Sequence, residues 1–458
     1  MAIYDFVVVG GGVGGTLSAL MLSNTGSKTL LIEKEPHLGG CSATFARGVF
    51  RYNVGATTFC ILPNNENILK KYLEKLNLVK LEIPIIVIQN KKKIFRYSNI
   101  EIFIQHLNEI YPSKNHRKFW IDIYELATLF IQKSNLYYNK SNPLEFFKSV
   151  CSVSKVGFSF ANPILKNAKT ALYEYFPDMN DDLYDFLENQ FLIVAQTKIE
   201  NANFLTLALA LSYPFFDNFY AVGGMGEIFK ILEDDIFETK KNTTFLTCLK
   251  KDNLFSIQTT SGEFLAKKVI FNTQYENNFI QKNNLDQSAF VVYGVVKSDQ
   301  NFGHHYQIFA SQNLSFSISN SIFVSFSDKN DRKMAPQNHF SFTISIHTKA
   351  SFWKNIDAQQ YELQKKQLQD EIVSLLCNNL NINSSQLLKL FSATPITFER
   401  YICRSVLGGM PLESKNFLFK FGSPKVGDFY YCGDNVFPAQ GWPGILNGVE
   451  NLKKVLNV

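Results

Sequence analysis

Four residues near the start of the chain have the types and spacing of a site for a dinucleotide. Gly10, Gly12 and Gly15 form the pattern G-x-G-x-x-G, and Glu33 lies 33 − 12 = 21 positions after Gly12. In this pattern the first glycine permits a tight turn, the second lets the backbone approach a pyrophosphate, and the third allows close packing of a helix on a strand. A carboxylate about 20 residues further on can accept hydrogen bonds from ribose hydroxyls. The predicted chemistry is therefore dinucleotide binding.

The neighbouring segments predict the elements that must position these residues. An apolar run from Phe6 to Val9 precedes the glycines, a helical pattern runs from Thr16 to Ser23, and a second apolar run covers Thr29 to Ile32. The turn between the first strand and the helix includes Val13 and Gly14, at the end of the helix where unpaired backbone N–H groups can donate to a phosphate. The sequence thus contains the strand, turn, helix and strand that the glycine pattern requires.

A second pair of glycines, Gly39 and Gly40, follows Glu33 closely. The pair predicts another close approach of the backbone to the ligand. Lys34, which directly follows Glu33, is also expected to contact the ligand. A dehydrogenase that binds only NAD does not normally need this second approach, so that alternative requires the pair to be a coincidence.

Composition is that of a large, aromatic-rich globular protein. The chain has 458 residues, of which 46% are hydrophobic and 19% charged, and it contains 42 Phe and 20 Tyr. This length suits two or three domains. The aromatic residues could line an apolar pocket, although an AT-rich genome produces the same bias. Seven scattered cysteines without a C-x-x-C pair favour a reducing compartment and argue against disulfides and structural zinc.

Charge and hydropathy exclude some partners. The net charge of +6 is dispersed, which argues against nucleic acid. The sequence NKKKIFRY, from Asn90 to Tyr97, favours a solvated hairpin tip, with contact to a bilayer surface as the alternative. No apolar stretch approaches the length of a membrane span, and the first residues lack the basic region of a signal peptide. We expect a cytoplasmic protein, with peripheral contact to the inner face of the membrane as the closest association; protein partners are not indicated.

The stretch EKEPHLGGCSATFARGVFRYNVGATTF resembles the FAD-dependent family of phytoene desaturases, carotenoid isomerases and retinol saturases. In that family a Gly-Gly pair and then the sequence FDVGA follow the ribose-binding acid, and the glycine of FDVGA lies near the flavin ring. Gly39 and Gly40 match the pair, and Gly55, Ala56 and Thr57 match the second element. The resemblance implies that these residues contact FAD.

Two positions depart from the family pattern. Cys41 stands where many relatives have an arginine against the pyrophosphate, and Asn53 stands where aspartate is usual. The first departure leaves the phosphate charge to the helix after Gly12 and to groups that the sequence does not identify.

The middle of the chain predicts two further layers. Residues from about 65 to 205 show mainly helical periodicity, and residues 289 to 348 alternate between apolar and polar like an antiparallel sheet. Between them, VGGMG resembles the family element that returns the chain to the FAD-binding domain. In related flavoproteins the strands that follow cross the adenine, which implies that Leu249 lies against it.

The expected fold class is α/β, with a glutathione-reductase-like (Rossmann-type) FAD-binding domain and an interleaved substrate domain. The expected FAD-binding domain comprises residues 1–75, 206–280 and 394–458. The substrate domain is expected to combine a helical cap, residues 76–205, with an antiparallel sheet, residues 281–393.

The sequence GDNVFPAQGWPGILNG near the end of the chain predicts a constrained turn before a helix. Gly433 and Asp434 follow a predicted strand, Phe429 to Cys432, so a short carboxylate can reach ribityl hydroxyls or the pyrophosphate.

The predicted helix begins at the proline and glycine of this stretch. Pro443 and Gly444 suit a first helical turn, whose N–H groups and dipole stabilise negative charge. The stretch resembles the family's GDSTFPGQGVPG, which implies that these residues, with Gly441 and Trp442, seat the isoalloxazine ring.

The resemblance implies an FAD-dependent oxidoreductase that acts on carbon–carbon bonds of an apolar polyene or isoprenoid lipid by hydride transfer with flavin N5. Desaturation, saturation and cis/trans isomerisation stay open. No catalytic side chain is assigned, because a polyene offers few groups to protonate. His304 and His305 are expected to be surface or sheet histidines and not metal or acid–base groups, since the sequence supplies no nearby carboxylate or third ligand.

Two other functions are consistent with the same fold. An FAD-dependent amine oxidase should show an aromatic cage, to which Trp442 could belong, and a lysine near the flavin. A non-enzymatic prenyl-lipid-binding protein of the GDP-dissociation-inhibitor type keeps the fold without a working flavin. The intact Glu33 and Asp434 argue against this second alternative.

Overall fold

The computed structural model describes residues 2–63, 66–134, 137–139, 142–158, 164–276, 279–416, 420–437 and 441–458. Residues 438–440 of the predicted carboxy-terminal turn lie outside them.

The strands, in chain order, are β1 (Ile3–Val9), β2 (Thr29–Ile32), β3 (Thr44–Arg47), β4 (Phe50–Asn53), β5 (Phe59–Ile61), β6 (Leu78–Lys80), β7 (Ile85–Gln89), β8 (Lys92–Arg96), β9 (Asp217–Ala221), β10 (Glu238–Lys240), β11 (Phe245–Lys251), β12 (Leu254–Thr259), β13 (Gly262–Phe271), β14 (Gln287–Lys297), β15 (His305–Phe309), β16 (Ser321–Phe326), β17 (His339–Lys349), β18 (Leu387–Ala393), β19 (Lys425–Val426) and β20 (Phe429–Tyr431). The helices are α1 (Val13–Asn24), α2 (Glu66–Leu73), α3 (Ile100–Ile110), α4 (His116–Lys133), α5 (Pro143–Phe158), α6 (Ala168–Tyr175), α7 (Asp181–Ala195), α8 (Phe204–Ser212), α9 (Gly226–Glu233), α10 (Phe279–Lys282), α11 (Ala350–Asn355), α12 (Ala358–Leu380), α13 (Pro395–Ile402) and α14 (Gly441–Leu456).

A parallel sheet in the order β10-β2-β1-β13-β20 forms the Rossmann-like part of the molecule. Strands β11 and β12 extend this sheet as an antiparallel hairpin beside β13. The near-continuous apolar runs of β1 and β2 suit strands that are covered on both faces. Because the strand order reverses between β1 and β13, a ligand is expected outside the carboxyl ends of these two strands.

Helices α1 and α14 pack on each other beside the parallel sheet. The residues of α1 from Val13 to Leu22 are all buried, and several join one apolar cluster with Leu446, Val449 and Leu452 of α14. This packing fixes the first turn of α1 and the first turn of α14 relative to the sheet.

A second, mostly antiparallel sheet has the order β18-β14-β17-β16-β15-β7-β8. One of its faces packs against α12. Phe290 of β14 and Ile344 of β17 share an apolar cluster with that helix. The buried side chains that α12 contributes to the cluster are Leu368, Ile372, Leu376 and Leu380. The other face of the sheet is therefore left to meet the helical cap.

Strands β7 and β8 correct one expectation about the helical cap. Residues 76–205 contain helices α3 to α7 and the start of α8, but β7 pairs in parallel with β15 and adds β8 to the edge of the second sheet. The predicted hairpin is confirmed, with Asn90 and Lys91 at φ values of 49° and 64° in its turn. Arg96, at the end of β8, is fully buried and donates to the carbonyl of Leu211 at 2.7 Å.

Helices α3 to α8 form the helical cap, and α4, α7 and α8 contribute residues to the wall of a cavity between the cap and the second sheet. They share one apolar cluster that includes Phe103, Trp120, Phe186 and Leu211. None of the helices in the described part of the chain has the length and hydropathy needed to cross a membrane.

Candidate functional site

One cavity of about 1250 Å³ extends from the carboxyl ends of the parallel strands to the second sheet. Most of the residues predicted to bind a cofactor line it. They are Gly10, Gly12, Val13, Gly14, Glu33, Lys34, Gly39, Gly40, Cys41, Gly55, Ala56, Thr57, Gly433, Asp434, Gly441, Trp442, Pro443 and Gly444. The fold thus brings together segments from both ends of the chain.

Backbone without side chains forms the floor of the cavity at the start of α1. An ideal Cβ on Gly14 would lie 2.7 Å from the backbone nitrogen of Gly433, and one on Gly12 would lie 2.7 Å from Nδ2 of Asn272. Side chains at these positions would collide with their neighbours, so glycine keeps the helix N-terminus bare. This cradle fits a phosphate, which can approach the unpaired N–H groups of the first turn.

Gly15 does not line the cavity. A Cβ at this position would overlap the carbonyl oxygen of Gly10, just after the end of β1. Glycine is therefore required at position 15 because α1 packs closely against the end of β1.

Glu33 lies at the end of β2 with its carboxylate held against the glycine turn. Oε2 accepts from the backbone N–H of Gly11 at 2.6 Å, and Oε1 accepts from that of Glu35 at 2.8 Å. Burial raises the pKa of Glu33, while these two hydrogen bonds oppose the rise. Each carboxylate oxygen can accept a second hydrogen bond, so the group can also bind ribose hydroxyls.

Arg404 is a cation in the cavity that the sequence did not identify. Its Nη1 donates to Oδ1 of Asp434, and its Nη2 lies 3.7 Å from Sγ of Cys41. Burial alone would lower the pKa of Arg404, but Asp434 and Cys41 raise it, so the guanidinium stays charged. Burial raises the pKa of the Cys41 thiol, against the effect of Arg404. A cation from a distant part of the chain therefore stands beside the position where many relatives have an arginine.

Asn272 is a second residue that sequence reasoning missed. It follows β13, lines the cavity, and donates from Nδ2 to the carbonyl oxygen of Gly10 at 3.3 Å. The rule that ligands bind at the carboxyl ends of neighbouring parallel strands could have identified it, because β13 ends one residue earlier.

The structure does not support the prediction that Leu249 lies against the adenine. Leu249 is 54% exposed and does not line the cavity, whereas Leu246 does. The pairing of β11 with β12 shifts between Phe245 and Thr247, which leaves Leu246 as the extra residue of a bulge. A bulge redirects side chains, so a pattern of simple alternation cannot place them.

Trp442 packs into the protein core next to the cavity. It is 4% exposed, and its ring centroid lies 4.8 Å from that of Phe59 and 5.6 Å from that of Phe229. Helix α14 begins at Gly441, two residues before the predicted start at Pro443. Because Phe59 and Phe229 do not line the cavity, Trp442 does not form a cage with them there.

His304 and His305 lie outside the lining of the cavity. His305 is a buried sheet residue whose Nδ1 is 2.8 Å from the hydroxyl of Ser325, and burial lowers its pKa to about 3. His304 lies 3.7 Å from Asp328, a carboxylate that the sequence spacing did not reveal. His305 thus belongs to the sheet, as expected, and His304 directly precedes its strand.

Comparisons with known proteins agree with this architecture. The family described as NAD(P)-binding Rossmann-like domain matches residues 8–76. Prolycopene isomerase 1 of an Oncidium hybrid cultivar is 25% identical over 96% of this chain and 81% of its own length.

Two solved structures have the same fold over 99% of both chains. A double mutant of putrescine oxidase has a TM-score of 0.62 at 12% identity, and a fatty acid isomerase from P. acnes has a TM-score of 0.62 at 11% identity. The equal scores show the fold without distinguishing the two substrate classes. Its motifs, its Rossmann-like site and its similarity to a prolycopene isomerase along almost the whole chain identify the protein as an enzyme that resembles the group containing phytoene desaturases, carotenoid isomerases and retinol saturases.

Proposed function

We propose that the protein binds FAD and acts on carbon–carbon bonds of an apolar polyene or isoprenoid lipid. The observation that carries this proposal is the continuity of the cavity, which joins the dinucleotide cradle to apolar walls from α4, α7 and α8. These walls include Ile131, Leu192 and Leu209. A long apolar ligand can therefore lie against them with one part next to the cofactor.

The residues of the cradle have complementary roles toward FAD. Glu33 would accept from the ribose hydroxyls, and the first turn of α1 would donate to the diphosphate. Arg404 would supply the positive charge that Cys41 cannot. Its guanidinium carries five N–H donors, so it can keep its contact to Asp434 and still donate to a phosphate.

The carboxy-terminal segment completes the proposed cofactor site. Asp434 would accept from ribityl hydroxyls, and the first turn of α14, with Pro443 and Gly444, would stabilise negative charge on the flavin ring. When bound, FAD supplies hydride transfer at its N5 atom. The protein itself would hold FAD and the substrate next to each other and would exclude water from the apolar part of the cavity.

An amine oxidase is less well supported as the alternative. Lys34 is the only lysine among the described residues that line the cavity, and its Nζ donates to the carbonyl of Arg400 at 3.0 Å. It follows Glu33 directly, at the dinucleotide end, and Trp442 forms no cage with its aromatic neighbours. A prenyl-lipid-binding protein without flavin is also less well supported, because it would have no dinucleotide for the glycine cradle and Arg404 to bind.

The domain division and the membrane contact are also proposals. We propose the FAD-binding part as residues 1–75, 206–280 and 394–458, with the rest forming the substrate part. Contact with a membrane surface would use the β7–β8 hairpin. Lys92 in this hairpin lies 3.7 Å from Asp182, so the neighbouring Lys91 and Lys93 are the better candidates for lipid contact.

An anaerobic absorbance titration tests the proposed function. The purified protein is expected to show a bound flavin, and an acyclic polyene in detergent micelles is expected to bleach the flavin or to change its own spectrum. Bleaching by an amine instead would identify an amine oxidase. Failure to retain FAD after its addition would support the prenyl-lipid-binding alternative.

A further inference from the structure

The two faces of the second sheet differ in chemistry. On β17, Ile344 and Ile346 point to the apolar cluster under α12, while Ser345 and His347 alternate with them and line the cavity. The same alternation on β16 places Ser321 on the cavity side, next to Ile322 on the apolar side. The cavity face of these strands therefore carries polar side chains beside apolar ones such as Phe323, and the helices opposite contribute mainly apolar side chains.

Part of this polar face already forms an internal hydrogen-bond network. Gln307 donates to the carbonyl of Asn189 at 3.1 Å and to the hydroxyl of Ser321 at 3.0 Å. Ser321 in turn donates to Oδ1 of Asn189 at 2.9 Å. This network ties the sheet to α7 and is explained by structure alone.

Ser345 and His347 differ from that network. Within the described part of the chain, neither side chain makes a hydrogen bond to another residue. They lie on one strand, two residues apart, so their side chains share one face. Polar groups that face an apolar enclosure without partners are costly unless a ligand or water pairs with them.

The sheet and helix walls around these two residues carry no charge, and Arg404 and Asp434, which also line the cavity, pair with each other. None of the described lining residues from the second sheet or from α4, α7 and α8 is Asp, Glu, Lys or Arg. Arg47 of β3 also lines the cavity, but it is exposed, and its guanidinium lies 3.8 Å above the ring of Phe391 on β18. Strand β18 is two strands away from β17, which corresponds to about 10 Å.

The histidine itself is neutral at pH 7. Burial lowers the pKa of His347 to about 4. A neutral imidazole has one N–H donor and one acceptor, which suits a hydroxyl or a carbonyl. A buried carboxylate or ammonium would find no opposite charge on the surrounding walls.

We propose that the substrate is an apolar chain that carries a neutral oxygen, a hydroxyl or a carbonyl, and that Ser345 and His347 bind this oxygen. The inference rests on the proposed function, because it assigns the substrate class of the same cavity. It separates an oxygenated lipid from a pure hydrocarbon, a fatty acid and an amine.

Binding measurements with four matched probes test the inference. The probes share one conjugated polyene chain and end in a hydroxymethyl, aldehyde, carboxylate or methyl group. Their Kd values are measured from the polyene absorbance with the flavin-loaded protein and with the variants His347→Leu and Ser345→Ala. His339→Leu is the matched control, since His339 lies on the same strand but does not line the cavity.

The wild-type protein should bind the alcohol and the aldehyde more tightly than the carboxylate. His347→Leu should lower the ratio of the methyl probe's Kd to the alcohol's Kd by about tenfold, which corresponds to about 1.4 kcal/mol, and Ser345→Ala should lower it less. His339→Leu should leave it unchanged. An unchanged ratio in His347→Leu, or a carboxylate that binds as tightly as the alcohol, would overturn the inference.

The flavin spectrum of each sample separates this inference from the proposed function. If the probes bind without preference, only the substrate assignment fails. If none of them binds to a protein that retains flavin, the inference and the apolar substrate both fail. Probe binding without retained flavin contradicts the cofactor assignment alone.

Discussion

The two ends of the cavity differ in the charge of the residues that line them. At the dinucleotide end, bare glycine backbone lies beside Glu33, Arg404 and Asp434, three charged side chains. At the sheet end, neutral side chains such as Ser345 and His347 line the cavity together with residues of α4, α7 and α8. The difference shows that buried charge is concentrated at the end proposed for the anionic cofactor. At the other end, the described residues of the sheet and of α4, α7 and α8 that line the cavity are all uncharged.

Among the substitutions considered, Gly14→Ala should have the largest effect on cofactor binding at the dinucleotide end. The added Cβ would lie 2.7 Å from the backbone nitrogen of Gly433, so it would close the cradle and strain its walls. We expect loss of FAD retention and a decrease of about 1–3 kcal/mol in the free energy of unfolding. Flavin absorbance and denaturant unfolding measure the two effects.

The control for this change is Gly26→Asn. Gly26 has a φ of +83° and no atom within 4 Å of an added Cβ, and asparagine tolerates the left-handed region better than other residues with a side chain. This variant should retain FAD like the wild-type protein. Equal FAD retention in Gly14→Ala and Gly26→Asn would contradict the cradle.

Arg404→Met tests whether charge is needed at the dinucleotide end. The change removes the proposed phosphate partner and leaves Asp434 without its cation. We expect the Kd for FAD to increase by about 30-fold or more, since removal of one partner from a buried charge pair typically costs at least about 2 kcal/mol. Fluorescence titration of the apoprotein with FAD measures the change. Arg400→Met, at an exposed position on α13, should have no comparable effect; if it does, the charge of Arg404 has no special role.

His305→Gln tests whether the second sheet contains a neutral buried histidine. Burial lowers the pKa of His305 to about 3, while an unfolded histidine has a pKa of about 6.5. Between these values the unfolded state binds the proton more strongly, so stability decreases as pH falls from 6.5 toward 3, by up to about 1.4 kcal/mol per pH unit. The wild-type protein should therefore lose more stability than His305→Gln in this window. Parallel pH profiles of unfolding would contradict the assignment; His339→Gln serves as the control.

Leu246→Ala should have the smallest effect. Leu246 lines the cavity but is 58% exposed, so its truncation should weaken FAD binding by about fivefold, equivalent to about 1 kcal/mol. Leu249→Ala should leave the Kd unchanged. A larger effect at Leu249 would support its predicted contact with the adenine.

The residues of the dinucleotide end could be predicted from the sequence because they form local patterns. The glycines and Glu33 lie within one strand-turn-helix-strand unit, and their spacing follows from the geometry of that unit. Arg404 was not predictable in the same way, because it meets Cys41 across 363 positions of the chain. Its identification requires the packing of α13 and the segment after it against the cradle.

The sheet end could be predicted only in part, because its arrangement also depends on contacts between distant parts of the chain. Alternation predicted an antiparallel sheet, but not which face would meet the cavity, since that depends on where α12 packs. The pairing of β7 with β15 joins residues that are more than 200 positions apart, so residues 85–96 could not be assigned to the sheet from local periodicity. The bulge in β11 likewise follows from pairing with β12 and not from the composition of the strand.

The most direct test of the account is a difference spectrum of the bound flavin during titration with the polyene alcohol under anaerobic conditions. A single cavity shared by cofactor and substrate predicts that the flavin bands shift as the polyene binds and that the shift saturates with the polyene's own binding curve. A polyene that binds while the flavin spectrum stays unchanged would contradict the account, because the two ligands would then occupy separate sites.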